Sequence, residues 1–98
     1  MITIRTLPQF DQWFSAIKDK PTGIRLARRL ERVQRGQFGD VKPVGGGVFE
    51  LREQFGPGWC MYYVQRGEVV IVMLGGGDKS TQSADIIKAI HLADTLED

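Results

Sequence analysis

The chain has 98 residues, 42% of them hydrophobic and 26% charged, with two tryptophans and five phenylalanines; this is the length of one domain, and the composition argues against intrinsic disorder. A domain this small buries roughly 60–65% of its unfolded surface, which leaves little room for a deep substrate cavity and favours shallow surface chemistry or binding. The net charge of +1 hides a polarity, because residues 1–40 carry eight Lys/Arg against four Asp/Glu while residues 78–98 carry two against five, a pattern that points towards a nucleic-acid or acidic protein partner.

The longest apolar run, Val69 to Leu74, falls far short of the roughly 20 residues that cross a bilayer, and no charged-then-apolar leader opens the chain, so a soluble cytoplasmic protein is expected. Cys60 is the only cysteine and His91 the only histidine. An internal disulfide is excluded, and no zinc or transition-metal cluster and no cofactor are expected.

Ile2 to Arg5 alternates like a short strand. Thr6 with Gln9 reads as a capping box with Pro8 in the first turn, and Phe10, Trp13, Phe14 and Ile17 then recur at helical spacing as a core face. A second helix is expected from about Thr22 to Arg35, with Ile24, Ala27, Leu30 and Val33 inward and Gly36 as its stop. Phe38 to Gly47, with Pro43 and three successive glycines, reads as a turn region. Val48–Glu53, Trp59–Gln65 and Glu68–Leu74 read as a three-stranded meander joined at Gly56-Pro57-Gly58 and Arg66-Gly67. A last helix from about Thr81 to Leu96 is capped by Ser80 or Thr81. The expected fold is α+β: an antiparallel sheet, formed by the short N-terminal strand and the meander, packed against an N-terminal helical hairpin, with a C-terminal helix.

Gly75-Gly76-Gly77-Asp78-Lys79-Ser80-Thr81-Gln82 reads as a glycine-rich loop between strand and helix. It is not a phosphate-binding P-loop, because Asp78 stands where the glycine before Lys-Ser belongs and its charge repels an anion. Lys79 beside a helix N-terminus still suits a nucleic-acid phosphate. Arg25, Arg28, Arg32 and Arg35 share one helix face, either a solvated surface or a track for a nucleic-acid backbone or an acidic protein. Glu50 and Arg52 share a strand face, with Arg52 either ion-paired or aimed at a phosphate. His91 stands away from any Ser, Cys or Asp partner and reads as a surface or packing residue, and Cys60 between Trp59 and Met61 reads as a small hydrophobe.

The order of these blocks resembles the RelE/ParE superfamily, and more closely its HigB-like branch of addiction-module killer proteins. The resemblance runs over nearly the whole chain, through Phe10-Asp11-Gln12-Trp13, Arg28-Arg29-Leu30, Gly39-Asp40-Val41-Lys42 with Val44-Gly45, Val48-Phe49-Glu50-Leu51-Arg52, Gly56-Pro57-Gly58-Trp59 and Gly75 to Gln82. It implies a RelE-like α+β fold and the toxin of a type II toxin-antitoxin module, held in check by a cognate antitoxin that is often a helix-turn-helix protein. Toxins similar to RelE act on the ribosome as metal-independent mRNA endoribonucleases, whereas those similar to ParE inhibit gyrase. By that resemblance Arg52 and Lys79 match the phosphate ligand and the transition-state stabiliser. Lys42, Ser80 and Thr81 are the further candidates for RNA phosphate contact, and Arg25, Arg28, Arg32 and Arg35 for the antitoxin. The chain departs from the family at Cys60, where relatives usually carry a phosphate-binding arginine, so cleavage, gyrase inhibition and antitoxin binding alone all stay open.

Overall fold

The elements in chain order are β1 (Thr3–Thr6), α1 (Pro8–Ser15), α2 (Lys20–Gln34), β2 (Val41–Gly45), β3 (Val48–Glu53), β4 (Trp59–Arg66), β5 (Val70–Asp78), a 3-10 turn (Lys79–Thr81) and α3 (Gln82–Thr95). A computed structural model describes residues 1–96. Cys60 to Val64 of β4 are all buried, and successive side chains go to opposite faces. Met61 and Tyr63 join Phe10, Leu26, Val33, Leu51, Ile71 and Met73 beneath α1 and α2. Cys60, Tyr62 and Val64 join Val48, Leu74, Ala89 and Ala93 beneath α3. The sheet is thus covered by helices on both faces, which is why its central strand reads as one apolar run.

The five strands lie in the order β1-β5-β4-β3-β2. Strands β2 to β5 are antiparallel to their neighbours, but β1 pairs parallel to β5, from Thr3 opposite Val70 to Thr6 opposite Met73. The expectation of a wholly antiparallel sheet is therefore corrected to a mixed one within the α+β class. No hairpin links β1 to β5, and the long connection through both helices leaves their relative direction free.

The stretch expected as a turn contains β2. Pro43 is tolerated there because β2 is an edge strand, and Gly46 and Gly47, at φ +61° and +78°, form the two-residue turn into β3. The glycine-rich loop is likewise strand: β5 begins at Val70 rather than Glu68 and continues through Gly75–Gly77 to Asp78. Tyr62 pairs with Gly75 and Tyr63 with Met73, so Leu74 is the extra residue of a bulge. Beyond it the helices rest directly on the backbone. A Cβ at Gly76 would lie 2.4 Å from the Trp13 ring, and one at Gly77 would lie 2.0 Å from the Asp85 carboxylate. Glycine in this strand marks close approach, not flexibility.

The helix starts differ too. Thr6 belongs to β1, so the expected capping box does not form, and α1 follows Leu7 with Pro8 in its first turn. Helix α2 starts at Lys20, where the Asp19 carboxylate accepts from the Thr22 backbone N–H at 3.1 Å and from its hydroxyl at 2.7 Å. Its buried stripe is Thr22, Leu26, Arg29 and Val33, while Ile24, expected inward, is half exposed. The inward face is set by Arg29. Its guanidinium donates to the carbonyls of Phe38, Asp40 and Arg52 and pairs with Glu53, tying α2 to both strands of the β2–β3 hairpin.

Candidate functional site

Directly opposed residues of antiparallel strands project on the same face, and two such rows cross the α3 side of the sheet. One runs Lys42, Glu50, Tyr62, and the next Arg52, Cys60, Gly77. Lys79 joins them from the turn that follows β5. Its N–H donates to the Gly58 carbonyl at 3.1 Å, and its aliphatic stem lies along Gly58, where a Cβ would approach it to 2.9 Å. Gly58 itself has φ +82°, so the Gly56-Pro57-Gly58 turn both bends the chain and seats the lysine. Arg52 and Lys79, separate in sequence, meet at Cys60: Arg52 is its direct partner across the β3–β4 pair, and the Lys79 charge acts on its thiol.

Arg52 makes the ion pair foreseen as one of its two roles, but with Asp40 rather than its strand neighbour Glu50. Its Nη2 and Nε donate to one Asp40 oxygen at 2.9 and 3.2 Å, and Gln54 donates to the other at 3.5 Å. The Arg52 hydrogen bond holds the Asp40 carboxyl below the usual 3.8, and Asp40 in turn raises Arg52. Both partners are solvent-exposed, so the pair contributes little to stability, and a phosphate oxygen can exchange with the carboxylate. Behind them Arg29 holds the main-chain carbonyls of the same two residues, Asp40 and Arg52, which fixes where the pair can form.

Beneath the cations lies a polar layer, and its Glu50 does not make the ion pair with Arg52 that their shared strand face suggested. Glu50 is only 1% exposed, and its carboxylate accepts from Gln82 Nε2 at 2.9 Å. That hydrogen bond pins the first residue of α3 to β3. Gln82 also reaches Cys60 Sγ at 3.9 Å, and the Tyr62 hydroxyl, beside Glu50 and Cys60, has no hydrogen-bond partner. Burial, then the Glu50 charge, pushes the Cys60 thiol up to about 11, so it is protonated at neutral pH. Cys60 is buried, as a small hydrophobe at that position would be, and lies opposite Arg52 in the β3–β4 pair. The signal available for Glu50 was its period-two spacing from Arg52; Gln82 had none, because only the tertiary fold brings α3 over β3.

Ser80 and Thr81 are exposed beside Lys79, with their hydroxyl protons committed locally. Ser80 donates to Asp78, which caps the 3-10 turn, and Thr81 donates to Asp85 at 2.6 Å. Thr81 stands at the N-cap position of α3 without a side-chain cap bond, and Asp78 does the capping one turn earlier, so the expected cap from Ser80 or Thr81 is corrected. Lys42 is exposed at the sheet edge. Arg25, Arg28 and Arg32 on α2 and Arg35 at its C-cap are exposed, across the sheet from Lys79 and the Arg52 side chain, so the two sets form separate surfaces. Arg25 stacks over the Phe55 ring at 3.9 Å, and Arg32 lies 3.8 Å from Glu53. His91 is exposed on α3. Among the described residues no helix is long and apolar enough to cross a membrane.

No protein-family model matches the sequence. An uncharacterised protein of Haemophilus influenzae is 42% identical over 95 residues, a match that takes in 97% of this chain and 96% of that protein. The chain belongs to that protein's family. The match brings no activity with it, so function is argued from the site.

Proposed function

We propose that the protein is a RelE-like toxin of the RelE/ParE superfamily, of its HigB-like branch, acting in the cytoplasm as a ribosome-dependent mRNA endoribonuclease and neutralised by a cognate antitoxin. The observation that supports this reading best is the open constellation of Arg52 and Lys79 around Cys60, on a shallow face able to meet a polymer rather than enclose a small molecule. In such a cleavage the 2′-hydroxyl oxygen bonds to the adjacent phosphorus and the P–O5′ bond breaks, leaving a cyclic phosphate and a 5′-hydroxyl end. Arg52, exchanging Asp40 for a phosphate oxygen, orients the phosphate. Lys79 supplies positive charge as the pentacoordinate state gains negative charge. Cys60, a neutral thiol, adds no charge where relatives usually carry arginine, a loss worth about two to four kcal/mol of transition-state stabilisation.

The test is a cell-free translation reaction with 5′ ends of the message mapped with and without ribosomes. Wild-type protein is expected to give ribosome-dependent ends, Cys60→Arg more of them, and Arg52→Ala/Lys79→Ala none while keeping its thermal melt. Absence of cleavage by both the wild type and Cys60→Arg overturns the ribonuclease reading. The Cys60 position and the pairing of Arg52 with Asp40 favour one second reading, a non-enzymatic gyrase inhibitor, which predicts an intact message and accumulating cleaved DNA. In either case Arg25, Arg28, Arg32 and Arg35 are proposed as the antitoxin contact, and reversing two of those charges is expected to weaken the complex.

A further inference from the structure

Both tryptophans of the chain meet at one end of the sheet, and neither is fully buried. Trp13 on α1 rests on the Gly76 backbone, with the Phe10 ring behind it at 5.6 Å between centroids. Trp59 opens β4, and its ring lies 6.4 Å from that of Trp13 at an angle of 54°. With Ala16, Ile17, Lys18 and Asp19 they line an open pocket of about 360 Å³. The Trp59 ring N–H is buried towards the Gly56 turn, so the part of this ring left to the pocket is hydrocarbon.

The pocket adjoins one of the cations of the site. Trp59 follows Gly58, whose backbone seats the Lys79 stem and accepts its N–H, and it stands opposite Asp78, the residue before Lys79. The pocket walls carry one ammonium and one carboxylate, Lys18 and Asp19, and so offer no net charge. One Asp19 oxygen accepts twice from Thr22, and the other has no hydrogen bond among the described residues. Asp78 turns its carboxylate to Ser80. Lys18 and Lys79 are exposed and make no ion pair among the described residues.

We propose that this aromatic pocket is a stacking subsite for one unpaired nucleobase of an RNA strand whose adjacent phosphate lies at Lys79. Every base has a flat face for the rings, and its edge carries both donors and acceptors, one kind for the free Asp19 oxygen and the other for Lys18. A second phosphate would meet the Asp19 charge, and an aliphatic side chain would leave both polar wall groups without partners. The inference rests on the reading of Lys79 as an RNA phosphate contact and deepens it. It puts a base contact at the end of the sheet, on the face opposite Cys60, so the strand turns past Gly56-Pro57-Gly58 between the two.

The test is binding of 2′-O-methyl hexa-adenylate to the full chain at low salt, beside an abasic ribose-phosphate strand of the same length and charge. Because both tryptophans line the pocket, their fluorescence reports stacking directly. The expected result is quenching by hexa-adenylate and an affinity about tenfold above that of the abasic strand. Trp59→Leu, which removes the ring but keeps an apolar residue, and Ala16→Leu, which narrows the pocket from an exposed position, are each expected to bring hexa-adenylate down to the abasic level. Neither is expected to change abasic binding, and Lys79→Ala is expected to weaken both ligands alike. Equal affinity for the two strands, no quenching at millimolar hexa-adenylate, or full affinity in Ala16→Leu or Lys79→Ala overturns the proposal. The ligand has no attacking hydroxyl and no ribosome is present, so a failure of the ribonuclease reading shows in the translation reaction and not here.

Discussion

Truncating Arg29 to alanine is expected to destabilise the protein more than any change among the exposed cations. The side chain is 4% exposed and pairs with Glu53, itself 14% exposed. It donates to the Phe38 carbonyl at 2.7 and 3.2 Å, to Asp40 at 2.7 Å and to Arg52 at 2.6 Å. Alanine leaves those carbonyls without their donor and leaves Glu53 with only Arg32 at 3.8 Å. Breaking a buried pair by removing one partner costs about 3–5 kcal/mol, because the remaining charge stays desolvated. For a domain of this size about 4 kcal/mol lowers the melting temperature by roughly 20 °C. Arg29→Lys keeps the charge, but one ammonium cannot span a fan of three carbonyls and a carboxylate, so about half the loss is expected. Urea and thermal unfolding followed by circular dichroism measure both. A loss below about 1 kcal/mol for Arg29→Ala refutes the view that this guanidinium fastens α2 to the hairpin.

Two further outcomes follow from the layer under the site. Tyr62→Phe removes a buried hydroxyl that has no hydrogen-bond partner, so calorimetry is expected to find stability unchanged or raised by up to about 1–2 kcal/mol; a loss above 1 kcal/mol means the hydroxyl is satisfied. Alkylation of Cys60 is expected to be negligible in the folded protein at pH 8 and complete after unfolding. The folded thiol is raised to about 11 from its ordinary 9.0, so the stability gained by keeping it protonated is full below pH 9.0 and lost as the pH rises through 11. Rapid labelling of native protein at pH 8 refutes that assignment.

The helices and three central strands were legible because each carries a periodicity of its own. Val48–Glu53 and Trp59–Gln65 match β3 and β4 to within a residue. What was not legible depended on partners distant in sequence. Arg29 stands out in the sequence only within the Arg28-Arg29-Leu30 block, since nothing local shows that three carbonyls 9 to 23 residues away converge on it. The glycines at 75–77 carry loop propensity, and their strand conformation is imposed by Trp13 and Asp85 packing on the backbone. Parallel pairing of β1 was hidden because orientation across a long connection leaves no mark on either strand. For the site, Arg52 and Lys79 were found as separate positions. Their common focus on Cys60, and the Glu50–Gln82 bond that sets α3 over it, are products of register.

The separation of the two basic surfaces constrains how a partner could control the proposed activity. Arg25, Arg28, Arg32 and Arg35 stand on the α2 side of the sheet, and Lys79 and the side chain of Arg52 on the α3 side. A partner that grips only the helix leaves the face around Cys60 open. To block it, the partner must reach around the β3–β4 turn, where Phe55 lies under Arg25 and Glu53 beside Arg32. The route is short, because Arg29 fastens the inner side of the same helix to the carbonyl of Arg52. Neutralisation by the α2 surface therefore predicts a footprint continuous from Arg25 across Phe55 to Arg52, protected as one block in amide exchange of the complex. Protection confined to α2, with the Arg52 strand still exchanging, would mean that such a partner binds without covering the site.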